Sequence, residues 1–112
     1  HRGGVMSDKY MLVNGEAVLC PNLMIWARWF ETAGAERVLR QDDIGDVHVS
    51  TVFLGLDHAF GGGLPVLWET MIFKGPHDGY QARYTSRADA IRGHEAALAL
   101  VRSAVPSREP AP

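Results

Sequence analysis

Short apolar blocks open the chain. Tyr10 to Val13 and Glu16 to Leu19 flank Asn14-Gly15, two residues that tolerate positive φ, and this pattern predicts a tight N-terminal β-hairpin. Pro21-Asn22 then precedes an apolar run from Leu23 to Gly34, with Asn22 placed to cap a helix and Gly34 to stop it. Apolar side chains surround almost the whole of this helix. Leu23, Trp26, Ala27 and Phe30 form one stripe, and Met24, Ile25 and Trp29 fall outside it. Burying a large apolar side chain is worth roughly 1.5–3 kcal/mol, so exposing those three would forgo several kcal/mol. Either the fold wraps this helix or a second subunit covers it.

The next segments read as strands. A short one is expected from Arg37 to Gln41, turned by Asp42-Asp43-Ile44-Gly45-Asp46 into a long one from Val47 to Leu56. In the long strand Val49, Thr51 and Phe53 alternate with Ser50, Val52 and Leu54. Both sets contain apolar groups, which predicts a central strand covered on both faces. Pro65 can start a ladder but not continue one, so Val66 to Phe73 is the expected partner strand. Gly75-Pro76-His77-Asp78-Gly79 is turn material, and Tyr80 to Tyr84 is a short polar strand. A second helix opens at Ser86, the cap, with Asp89 at the third helical position. Its predicted buried stripe is Ala90, Ile91, His94, Ala97, Leu98 and Val101. The fold class is therefore α+β: an antiparallel sheet of four to six strands with two helices packed on one face. Residues 1–8 read as added residues or a loose leader and 105–112 as a Pro-rich disordered tail, leaving one domain over 9–104.

Chemistry concentrates between Ser50 and Lys74, where two apolar runs are joined by a glycine-rich loop carrying Asp57 and His58. Glu69 is the one charged residue between Ala59 and Ile72, and on a covered face it would need an arginine or His94 as partner, because an unpaired buried charge is costly. His94, in the middle of an apolar stripe, is either a hydrogen-bonded core histidine or part of a site with Asp57, His58 and Glu69. Such a set could serve a small hydrolase or metal-dependent enzyme. Asp57 and His58 with a hydroxyl from Ser50, Thr51 or Thr70 could form a nucleophile, base and orienting acid. No H-x-x-x-H, H-E-x-x-H or G-x-S-x-G spacing occurs, so no metal or cofactor is assigned. Gly61-Gly62-Gly63 follows no phosphate-loop pattern and suits a hairpin connection or a contact loop.

Composition narrows the classes. The chain has 112 residues and a formal net charge of −2, with scattered basic residues, which argues against nucleic-acid binding. A single cysteine, Cys20, cannot form an internal disulfide; with no apolar run near the ~20 residues of a membrane span, a soluble cytoplasmic protein is expected.

The segments W-A-R-W-F-E (26–31), S-T-V-F-L-G-L-D-H-A-F-G (50–61), P-V-L-W-E-T-M-I-F (65–73) and the G-H pair at 93–94 together resemble a family of small uncharacterised proteins carried by bacteriophages and other bacterial mobile elements. The resemblance spans roughly residues 10–101, with Trp68 in place of a more familiar phenylalanine and one extra glycine in the loop. It carries over no catalytic residue and no cofactor. What it implies is an accessory role, in which small proteins bind a host protein, a small ligand or another copy of themselves. The expected function is therefore a non-enzymatic interaction protein, a homodimer in the first instance, contacting its partner through Met24, Ile25, Trp29, Phe60 and Leu64. The alternative is the enzyme built on Asp57, His58, Glu69 and His94.

Overall fold

The computed structural model describes residues 8–59 and 63–104. The predicted leader, apart from Asp8, and the predicted tail lie outside the described residues, as do Phe60, Gly61 and Gly62. Asp8 does not belong with a leader: its carbonyl accepts the Asp57 N–H at 3.0 Å, and Lys9 bridges Leu56 in an antiparallel pairing.

Elements follow in the order β1 (Tyr10–Val13), β2 (Glu16–Leu19), α1 (Leu23–Ala33), a 3-10 turn (Gly34–Arg37), β3 (Val38–Ile44), β4 (Val47–Phe53), β5 (Trp68–Phe73), β6 (Gln81–Tyr84) and α2 (Arg87–Ala104). This is the expected α+β class, with β1 and β2 as a separate hairpin and β3-β4-β5-β6 as one antiparallel sheet. The local signals act as read. Asn14 and Gly15 take φ of 53° and 83° in the hairpin turn. Asn22 Oδ1 accepts the Ile25 N–H at 2.9 Å, and Ser86 Oγ accepts the Asp89 N–H at 3.0 Å.

The strand ends differ from expectation. β3 runs to Ile44 because the turn occupies only Gly45-Asp46, and β4 ends at Phe53 because Gly55, at φ 83°, turns the chain away. A side chain at Gly55 would be strained twice, by the positive φ and by a Cβ 3.1 Å from a ring carbon of Phe30. β5 starts at Trp68, two residues later than expected, after Leu54 and Leu67 have paired through their backbones.

Register explains which side chains are buried. Phe53 faces Trp68, Thr51 faces Thr70 and Val49 faces Ile72 across β4 and β5, and all six are buried. Against this face α2 lays Ala90, His94, Ala97, Leu98 and Val101, the predicted stripe with Ile91 only half-buried. The opposite face, expected to be covered, is not covered by the described residues: Ser50, Val52, Glu69 and Met71 are half-buried and Phe73 is exposed. An antiparallel sheet commonly keeps one solvated face, and here Glu69–Arg83 and Asp43–His48 pairs populate it.

The first helix is rotated by about one position from the predicted phase. Trp26, Trp29, Phe30 and Ala33 form its inward stripe, with Trp29 edge-on to Phe53 at 5.9 Å and Trp26 stacked on Phe30 at 4.9 Å between centroids. The Trp26 indole N–H fixes the phase by donating to the Tyr10 and Gly55 carbonyls at 3.0 and 3.2 Å. Leu23, placed inside by the sequence, is out; Trp29, placed outside, is in. The hairpin completes this end of the core, where Leu12 packs with Phe53, Leu67, Trp68 and Ala90.

Candidate functional site: a buried polar network and an exposed apolar surface

Thr51, Thr70 and His94 are fully buried, so each must find its hydrogen bonds inside the protein. The β4/β5 register sets the two hydroxyls 2.5 Å apart, and α2 brings His94 Nδ1 to 2.7 Å from Thr51 Oγ1. On the other side of the ring, His94 Nε2 lies 2.7 Å from Asp42 Oδ2 on β3. Asp42 in turn pairs with Arg40 at 3.1 Å, and Arg40 also binds Glu95 on α2.

A carboxylate can only accept, so His94 Nε2 carries a proton and donates it to Asp42. Nδ1 and the Thr51 hydroxyl share the next hydrogen bond and the two threonines the one after, so the chain runs from Thr70 through Thr51 to the His94–Asp42 hydrogen bond. This hydrogen bond, followed by the charge of Arg40, holds the Asp42 carboxyl below its ordinary pKa. The set contains the acid, base and hydroxyl of a catalytic triad, but the hydroxyl and the base are sealed under α2. What it does is join β3, β4, β5 and α2 through polar contacts of fixed geometry.

The four polar residues singled out by sequence lie in separate places. Asp57 Oδ1 accepts the backbone N–H groups of Ala59 and Val66, both at 2.8 Å, so it clamps the two ends of the glycine loop together. The His58 backbone N–H donates to the Val66 carbonyl at 3.0 Å and extends that closure. Glu69 sits on the open face of the sheet, paired with Arg83 at 2.9 Å and bonded by Gln81. His94 is on the opposite, α2 side. Asp57, His58, Glu69 and His94 therefore do not form a common site, and among the described residues no three His, Cys, Asp or Glu side chains gather to hold a metal ion. Asp42, Arg40 and Glu95, which do surround His94, were missed. The available signal was Thr51 opposite Thr70 on the otherwise apolar inward face of β4 and β5.

The proposed contact residues also divide. Met24 and Ile25 are 73% and 57% exposed at the start of α1, beside Leu23 at 54%. Leu64 is exposed as well, Phe60 lies outside the described residues, and Trp29 belongs to the core, where its indole N–H is buried without a partner among the described residues. Of the eight large apolar side chains exposed among the described residues, six fall between Val13 and Ile25: Val13, Val18, Leu19, Leu23, Met24 and Ile25. Single exposed apolar residues need no account; six within one short stretch of the chain are more than scatter. No helix of the described residues is long and apolar enough to cross a membrane.

Compared with known proteins, the chain matches no family model, no curated protein and no solved structure.

Proposed function

We propose that this chain is a non-enzymatic interaction protein that works as a homodimer in the cytoplasm, with an accessory role of the kind its resemblance to mobile-element proteins implies. The observation that carries the reading is the run Leu23-Met24-Ile25, three large apolar residues more than half exposed at consecutive positions of one helix. The polar residues support it from the other side, because each is engaged in holding the fold. Asp57 closes a loop, Glu69 balances Arg83, and His94 ties strands to α2. A second copy is favoured over a phosphate-bearing partner by the net charge of −2 and by the ion pairs that already engage Arg40, Arg83 and Arg92.

Sedimentation velocity of the full chain over a wide concentration range tests this, beside Met24→Glu and Ile25→Glu. Concentration-dependent dimerisation that either charge weakens by about tenfold or more is expected, since a desolvated unpaired carboxylate in an interface costs several kcal/mol. A monomer at every concentration would remove the homodimer.

A further inference from the structure

Separate stretches of the chain meet around a half-open cavity of about 140 Å³ at the hairpin end of the core. Its floor is apolar: Leu12 of β1 and Trp68 of β5 are buried, and Val38 and Leu39 of β3 lie half-buried beside them. Two charges stand at its mouth, Glu36 from the 3-10 turn and Arg87 from the first position of α2, both exposed.

The polar groups around this cavity are not satisfied by the protein itself. Glu36 and Arg87 line the same space but do not pair with each other or with any other described residue, whereas Arg40, Arg83 and Arg92 are each engaged by a carboxylate. Trp68 is only 3% exposed, yet its indole N–H donates to no described residue; the Trp26 N–H, by contrast, is held by two carbonyls. A buried indole N–H ordinarily has an acceptor. At the start of a helix the backbone N–H groups also favour a negative charge, which adds to the guanidinium of Arg87.

We infer that the cavity binds a small zwitterion, a free α-amino acid with an apolar side chain of about leucine's size. The ligand carboxylate goes to Arg87 and the Trp68 N–H, its ammonium group to Glu36, and its side chain onto Leu12, Val38 and Leu39. One charge of each sign selects this class. A plain carboxylic acid or a phosphate would set a like charge against Glu36, and a plain amine would do the same at Arg87. Size selects within the class, because the volume is about that of an apolar cavity that holds one benzene ring. The charges at the mouth stay in contact with water, so they set orientation and selectivity more than strength, and a dissociation constant of roughly 0.1–1 mM is expected. The inference goes beyond the homodimer and does not depend on it, since none of the apolar residues exposed between Val13 and Ile25 lines the cavity.

Titration of the isotope-labelled full chain with L-leucine, followed by nuclear magnetic resonance, tests the site. Saturable shifts of the Trp68 indole N–H and of the Glu36, Leu39 and Arg87 amides are expected. Isocaproate, which is leucine without its amino group, and isopentylamine, which is leucine without its carboxylate, should each bind about threefold or more weakly. Glu36→Gln and Arg87→Gln, both at exposed positions, should each weaken leucine by a similar factor; the first should close the gap between leucine and isocaproate, the second the gap between leucine and isopentylamine. No saturable shift of the Trp68 indole up to about 20 mM leucine, far above the expected constant, overturns the site. Isocaproate or isopentylamine binding as tightly as leucine, or leucine binding that neither substitution changes, overturns the amino-acid assignment.

Discussion

Replacing His94 with leucine removes the imidazole while keeping an apolar side chain of similar size under α2. The ring is fully buried, and its loss takes a hydrogen-bond partner from the Thr51 hydroxyl, itself fully buried. Losing that hydrogen bond costs about 0.5–1.5 kcal/mol, and leaving the hydroxyl partly unsatisfied adds to it, for a total near 2–3 kcal/mol. Asp42 keeps Arg40 and contact with water, so its side of the network adds little. For a domain of this length such a loss lowers the melting temperature by roughly 10–20 °C. Urea unfolding followed by circular dichroism should show a reduced midpoint with an unchanged slope. Adding Thr51→Val and Thr70→Val together to His94→Leu should recover part of the loss, because replacing all the bonded partners with apolar groups is nearly neutral. A loss of stability below about 0.5 kcal/mol, or strictly additive losses, would refute the view that His94 is there to satisfy and join the sheet.

Gly93→Ala would ordinarily stabilise a helix by up to about 1 kcal/mol, but here the new Cβ would overlap the Tyr84 ring and hydroxyl; thermal unfolding should show a net loss of about 1–2 kcal/mol, whereas the same change made in a Tyr84→Ala background should stabilise that background. Asp57→Ala frees the Ala59 and Val66 N–H groups, and both amides should lose hydrogen-exchange protection while those of β4 keep theirs. Because the folded state holds the Asp42 carboxyl below its ordinary pKa, its contribution is present above about pH 4 and is lost as pH falls through the folded value; Asp42→Asn should flatten that part of the acid-unfolding curve.

What could be read from the chain was local. Asn14-Gly15, Asn22 and Ser86 act through neighbours two or three residues away, so their turn and caps are visible without the fold. The α2 stripe was legible because polar residues interrupt it at helical spacing. In α1 the apolar residues run almost all the way round, so periodicity held no phase information; the Trp26 hydrogen bonds to Tyr10 and Gly55, 16 and 29 residues away, decide which face turns in. The His94 network has the same character. Its parts come from β3, β4, β5 and α2, and Asp42 is 52 residues from the histidine it binds. Asp57 and His58 drew attention as adjacent chemical groups, whereas a hydrogen bond to Val66, nine residues on, gives Asp57 its part in closing the loop.

The central claim is that the exposed apolar surface from β2 to the start of α1 is covered by a second copy. Sedimentation equilibrium of the full chain, alone and as Met24→Glu, tests it most directly. The account predicts a reversible dimer for the native sequence and a monomer for the variant at the same concentration, with matching circular dichroism spectra. A native chain that sediments as a monomer throughout, or a dimer that Met24→Glu leaves untouched, would contradict it.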